Sequence, residues 1–368
     1  MTRLARKFEA MLSVSVIGIA TLALGMHVSF AGQSAANTTK MPPAMEPVPA
    51  LTPFVEEHAH FDETNPQGSI RAALSALGHE NAAMIIFQIS PDTFDHPGHY
   101  DTEILLAEVK KHPGKLAITG GGGSLNSMII QSAVTGDAGP EVRKKFKERA
   151  DELLREGVVG FGEMTAEHFS GYTPYQYAPI DHPLFLLLAD IAAEHKVPID
   201  LHMEAVPWDM ALPEGQKSPP NASRLHANIA AFERLLSHNP RAKIIWAHLG
   251  SDFTGFRTVD LDRRLLLAHP NLYMEIKADP VSPGFNYPLD ADGKIKPEWL
   301  KLFAEFPDRF VIGSDQHYPL PKGEDRRWQE VILLFNQLPA EVHKKIGTEN
   351  VAAIYGNSVA ADLRAAKN

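Results

Sequence analysis

The chain has 368 residues, 44% of them hydrophobic, with a formal charge of −10, 17 histidines and no cysteine. That length suits one large α/β barrel or two ordinary domains. The acidic balance argues against non-specific attachment to nucleic acid or an anionic membrane. Without cysteine there are no disulfides, and any metal ion must be held by nitrogen and oxygen.

The first residues read as a targeting segment. Arg3, Arg6 and Lys7 make a positive start, Met11 to Met26 is an apolar run, and Ser29-Phe30-Ala31 places small residues at a cleavage site after Ala31. The run is short for a membrane anchor, so residues 1–31 are expected to be a signal peptide and the protein to be exported, periplasmic or secreted. Residues 32–50, rich in Ser, Ala, Thr, Asn and Pro, are expected to be a disordered leader. Residues 51–368 are expected to form one domain.

From there, short apolar runs alternate with helical patterns, the signature of parallel β/α units. Strands are expected at 54–57, 82–89, 115–119, 158–163, 198–202, 243–248, 272–275 and 310–315. That is the number a single (β/α)8 TIM barrel needs, so the expected fold class is α/β. Helical spacing marks Pro140 to Glu156, Pro183 to His195, Ser223 to Ser237, Leu300 to Phe306 and Trp328 to Leu338. The glycines from Gly120 to Gly123 lack the Gly-Lys-Ser/Thr ending of a phosphate loop, and Ser124 to Thr135 is not a clear helix start. They read either as a close backbone approach to a ligand at the barrel mouth or as a flexible turn.

Chemistry concentrates at the strand ends. His58 and His60 are one residue apart, share a strand face and can converge on one ion, although the pair alone is a weak signal. Later strands end in Glu163, His202, His248 and Asp315. In a barrel of this class the site lies at the C-terminal ends of the strands. Imidazole and carboxylate together suit a divalent ion, with Zn2+ the one expected, although Mn2+, Fe2+ and Ni2+ accept the same donors. Such an ion lowers the pKa of a bound water from 15.7 to about 7.

His58-Ala59-His60, strand-end His202, Trp246-Ala247-His248-Leu249-Gly250, Ile312-Gly313-Ser314-Asp315 and the tail Glu349 to Gly356 together resemble the amidohydrolase superfamily. The nearest branch is the amidohydrolase-related (amidohydrolase 2) group of metal-dependent hydrolases and decarboxylases. The resemblance implies that His58, His60, His202 and Asp315 hold one ion. It makes His248 the acid/base or oxyanion-stabilising group, with Asp315 doubling as proton acceptor. Glu163 stays open. Binuclear relatives have a carboxylated lysine at this place, and the TatD-like nucleases have a glutamate in a similar Gly-Glu context. A second ion bridged by Glu163, with His202 and His248 shifting to it, is one reading; a carboxylate orienting His60 or His202 is the other.

The resemblance thus implies a metal-dependent hydrolase of an amide, ester or lactone-type bond acting on a small molecule. The alternative is a non-oxidative decarboxylase, which would need an arginine in the pocket, with Arg257 the one candidate near a strand end. A non-catalytic ligand-binding barrel is a third reading. The connection containing His168, Tyr172, Tyr175 and Tyr177 reads as a lid or a packed loop. Glu204, Trp208 and Asp209 are candidate pocket walls, while Arg257 reads mainly as a solvated surface residue. Asp252, Lys277 and His317 fall just past strand ends without a role of their own. His99, His112, His195, His238, His269 and His343 read as surface histidines.

Overall fold

The computed structural model describes residues 49–91, 101–169, 174–217, 221–278, 285–319 and 326–365. The expected signal peptide, nearly all of the expected leader, His99 and Tyr172 lie outside the described residues. The strands are β1 (Phe54–Phe61), β2 (Ala82–Phe87), β3 (Leu116–Ile118, continuing as Gly120–Gly121), β4 (Phe161–His168), β5 (Pro198–Met203), β6 (Lys243–Leu249), β7 (Leu272–Ile276) and β8 (Phe310–Ile312, continuing as Gln316–Tyr318). Neighbours pair in parallel in the order β3-β2-β1-β8-β7-β6-β5-β4. The first half of β3 pairs with β2 and the second half with β4, so the ring closes through this one strand. At the break, Thr119 N donates to Phe87 O (2.9 Å) and Gly120 N to Gly160 O (3.1 Å).

The helices form the outer layer. They include α1 (Pro66–Glu80), α2 (Leu106–Val109), α3 (Leu125–Thr135), α4 (Pro140–Glu156), α5 (Pro183–His195), α6 (Ile229–His238), α7 (Val259–Ala268), α8 (Pro297–Glu305) and α9 (Arg326–Asn336). Two expectations change here. The segment 125–135 is a helix, and α6 begins six residues later than Ser223, because Arg224–Leu225 pairs instead with Met210–Ala211 as a small antiparallel ribbon. The glycine run serves protein packing rather than ligand approach: a Cβ on Gly122 would lie 2.0 Å from Ile89 O.

The barrel interior is layered. Its floor is apolar: Val55, Met84, Ile86, Ala117, Ile245 and Val311 meet Val351, Ile354 and Tyr355 of the closing helix α10 (Asn350–Tyr355). Above that floor sits a layer of buried carboxylates, Glu57, Asp200 and Glu275, and the histidines stand on top of them. The Tyr355 hydroxyl reaches up from the floor to donate to Glu57 Oε1.

Three strands break register where the polar layer begins. Between Glu56↔Ile85 and Ala59↔Phe87, β1 has one residue more than β2. The same surplus falls at Gly162-Glu163 in β4 opposite Asp200, and at Ala247-His248 in β6 opposite Glu275. Such a bulge leaves two consecutive residues on one face and turns the strand. It lets Glu57 and His58 both face inward, where strict alternation would send one of them out.

Candidate metal centre

His58 is fully buried, and its Nδ1 lies 3.3 Å from both Asp200 Oδ1 and Glu275 Oε2. A carboxylate only accepts, so the ring proton sits on Nδ1 and the lone pair on Nε2. His60 Nδ1 lies 3.2 Å from Gln88 O, which likewise leaves its Nε2 lone pair free. Both Nε2 atoms converge with two carboxylate oxygens. His58 Nε2 is 3.2 Å from His60 Nε2 and 3.7 Å from Glu163 Oε2. His60 Nε2 is 3.4 Å from Glu163 Oε2 and 3.1 Å from Asp315 Oδ1. Four donors are thus linked by close contacts, and those of His58, His60 and Asp315 all lie within 4.8 Å of one another. Four ligands at about 2.0–2.1 Å in a tetrahedron stand roughly 3.3 Å apart, so this N2O2 set fits a zinc-type ion.

The structure brings the sequence-predicted residues His58, His60, Glu163, His202 and Asp315 together at one end of the barrel. Glu163 joins His58, His60 and Asp315 directly, while His202 stands behind it. His202 Nδ1 is 2.7 Å, and His248 Nε2 3.1 Å, from the other oxygen of Glu163, Oε1. A separation of 2.7 Å is hydrogen-bond distance. Gly162 allows this placement, since a Cβ there would lie 2.3 Å from Gln88 Oε1 and 2.8 Å from Asp200 Cβ. The backbone of Glu163 is fixed by Glu163 N donating to Ile89 O (2.8 Å).

His248 and Asp315 hold left-handed backbone conformations, with φ of 64° and 54°. Non-glycine residues rarely adopt this region, and where they do the surroundings enforce it. Here Asp315 N donates to His58 O (2.9 Å), and His248 N to Glu275 Oε2 (3.1 Å). Lys277 Nζ donates to Asp315 Oδ2 (2.6 Å), leaving Oδ1 for the cluster.

Burial and neighbouring charge set the protonation states. Burial works against ionisation of Glu163, but four surrounding histidines, His202 first, outweigh it and hold the carboxyl well below its usual range. Burial also opposes charge on His202, and the hydrogen bond to Glu163 with the nearby Glu204 carboxylate overcomes this, placing it at about 9. Burial pushes Glu56 up to about 8. In Glu275 the same burial penalty is outweighed by His248 and His58, bringing it to about 2.

A cavity of about 100 Å³ opens beside this centre, with His168, His202, Glu204, His248, Lys277 and Asp315 in its wall. Several expectations are corrected by what surrounds it. Arg257 is buried rather than solvated and contributes to the cavity wall; its Nη1 donates to Ala247 O, its Nη2 to Trp246 O (2.9 Å), and the guanidinium lies 3.9 Å above the Trp246 ring. Trp208 and Asp209 do not line the cavity, and Asp209 pairs with Arg224 (3.0 Å). Tyr175 donates to Glu167 (2.8 Å) and Tyr177 stacks on His226 (3.9 Å), so the described part of that connection is packed. Asp252 organises its own loop by accepting from Thr254 N, Gly255 N and Asn286 Nδ2. His317 is exposed and stacks on His60 at 4.8 Å. His269 and His343, expected at the surface, are buried. Sequence reading passed over Gln88, Asp200, Glu275 and the role of Lys277. Their signal was period two, since Asp200 precedes His202, and Glu275 precedes Lys277, by two residues in otherwise apolar strands.

A (β/α)8 barrel with a convergent histidine–carboxylate cluster at its strand ends defines a class, and sequence comparison gives the family. The profile of the Amidohydrolase family matches residues 132–356, more than half of the chain, and the protein belongs to that family. No protein with a curated function matches the chain by sequence. Among solved structures, the chain is similar to a protein from Acinetobacter baumannii described as probable 2-pyrone-4,6-dicarboxylic acid hydrolase with citric acid bound. The TM-score is 0.50 at 12% identity, covering 83% of this chain and 99% of that one. A 4-oxalomesaconate hydratase from Rhodopseudomonas palustris aligns with a TM-score of 0.49 at 11% identity, over 85% and 98% of the two chains. A dihydroxybenzoic acid decarboxylase from Polaromonas, solved with manganese and 2-nitroresorcinol, gives 0.39 at 15%, over 84% and 97%. At these identities the likeness is one of fold.

Proposed function

We propose that the protein is a metal-dependent hydrolase that cleaves an amide, ester or lactone-type bond of a small molecule at the barrel mouth. One observation carries the reading: His58 and His60 Nε2, Glu163 Oε2 and Asp315 Oδ1 are linked by contacts of 3.1 to 3.7 Å. His58, His60, Glu163 and Asp315 would hold the ion, with Zn2+ the proposed species. When bound, the ion would supply Lewis acidity and make a water acidic enough to attack near neutral pH.

The chain's own groups supply the rest. Asp315 borders the cavity and accepts the attacking water's proton at its carboxylate. Lys277 fixes the far oxygen of that carboxylate. His248, also in the cavity wall, meets the developing oxyanion, and the proton taken up by Asp315 passes to the leaving group. His202 orients Glu163. A decarboxylase must grip a carboxylate with a free cation. Arg257 is engaged by two backbone carbonyls and Lys277 by Asp315, which favours hydrolysis. Export to the periplasm or medium, from the pattern in residues 1–31, belongs to the same reading.

The test is a panel of lactones, esters, amides and aromatic carboxylic acids offered to zinc-loaded protein, with Asp315→Asn and His248→Asn beside the wild type. Hydrolysis that falls at least 100-fold in both variants is expected, on the order of what a lost catalytic group removes. Carbon dioxide release from an aromatic acid, or hydrolysis indifferent to Asp315→Asn, would overturn it.

A further inference from the structure

The two nitrogens of His202 face two different groups. Nδ1 is 2.7 Å from Glu163 Oε1, so an N–H points there. Nε2 lies 3.6 Å from Glu204 Oε1. His168, from the end of β4, closes the group: its Nδ1 is 4.0 Å from Glu204 Oε1, and its ring centroid is 4.2 Å from that of His202. His168 Nδ1 is buried and makes no hydrogen bond among the described residues. The Glu204 side chain is only 7% exposed, and its contacts with the two rings are too long for hydrogen bonds. A buried imidazole nitrogen without a hydrogen bond beside a buried carboxylate is unfavourable unless a proton or a cation lies between them.

We propose that His168, His202 and Glu204 form a second site for a divalent ion, on the outer side of His202. The family ligand pattern does not include His168 or Glu204. The donor set is two imidazole nitrogens and one carboxylate oxygen, with ligand atoms within 4.8 Å of one another. Contacts of 3.6 and 4.0 Å are wider than the roughly 3.3 Å edge of a tetrahedral site, so the side chains close by a few tenths of an ångström on binding. All three residues line the open cavity, so further coordination positions face the space a substrate would enter. An ion here would face the same cavity that Asp315 borders. The site stands on its own residues but shares His202 with the support of Glu163, so it extends the proposed function and does not replace it.

The test uses Co2+ as probe on the metal-free full chain, following stoichiometry by mass spectrometry and the cobalt absorption bands. Four proteins are compared: wild type, His168→Gln with Glu204→Gln, His58→Gln with His60→Gln, and His248→Asn. Two ions in the wild type and one in the His168/Glu204 variant are expected. The ion that remains doubles as the check that the variant is folded. The single His168→Gln substitution should weaken the second ion at least 10-fold and leave the first unchanged. One ion in the wild type at saturating Co2+ would overturn the proposal, with a proton on His202 Nε2 filling the role. A second ion that survives in the His168/Glu204 variant but is lost in His248→Asn would also overturn it, moving that ion to Glu163 Oε1. If instead the His58/His60 variant keeps both ions, the first site fails while this one stands.

Discussion

Nδ1 of His58 lies 3.3 Å from Oε2 of Glu275, and the same oxygen lies 3.4 Å from Nδ1 of His248. One buried carboxylate thus orients both a candidate ligand and the candidate acid/base group from beneath. Replacing it by an amide of the same shape should keep the packing and remove the charge. Glu275→Gln is therefore expected to weaken zinc binding about 10–100-fold, the usual range for such supporting partners. Competition with a chelator measures it. Unchanged affinity would show that Asp200 alone fixes His58.

Lys277 holds the Asp315 oxygen that points away from the cluster, at 2.6 Å. Lys277→Met should free that carboxylate to rotate and lower kcat/KM about 10–100-fold per metal-loaded site. Expressing the rate per bound ion separates misplacement of Asp315 from simple loss of metal.

Asp262, in the first turn of α7, is fully buried, and neither carboxylate oxygen accepts a hydrogen bond among the described residues. Burial pushes it up to about 7, only partly offset by Arg257, whose Nε is 3.7 Å away. A carboxyl raised on folding binds its proton more tightly in the native state. Its contribution is fully present below about pH 4 and is lost as pH rises to about 7. The loss is on the order of 4 kcal/mol. Asp262→Asn copies the neutral form, so its stability relative to wild type should climb between pH 4 and 7 and level off above. Urea unfolding across that range reads the difference, and parallel profiles would contradict the assignment.

Gly122 has no room for a side chain, because a Cβ would approach Ile89 O to 2.0 Å. Gly122→Ala should destabilise the fold by about 2–3 kcal/mol through backbone displacement at the end of β2. A shift under about 1 kcal/mol in chemical unfolding would mean that the two segments move apart freely.

The strand positions were legible because each parallel strand is a short apolar run. The polar strand ends were legible because each breaks such a run. The bulges were not. Alternation in β1 puts Val55 and Glu57 on one face and His58 and His60 on the other, and only the extra residue at Glu57-His58 brings all four inside. The same device at Gly162-Glu163 brought Glu163 into the cluster ahead of His202. Arg257 follows a strand end as a ligand would, but it packs on Trp246 from the strand before it, which sequence spacing does not reveal. α1 was passed over although Asn65 and Pro66 mark its start, with Asn65 Oδ1 accepting from Gly68 N (3.1 Å).

The most direct measurement is a crystal of zinc-loaded protein with diffraction collected on both sides of the zinc absorption edge. The account predicts an anomalous peak at about 2.0–2.2 Å from His58 Nε2, His60 Nε2, Glu163 Oε2 and Asp315 Oδ1 together. No peak among those four atoms, or a peak bonded to His202 in place of Glu163, would contradict it.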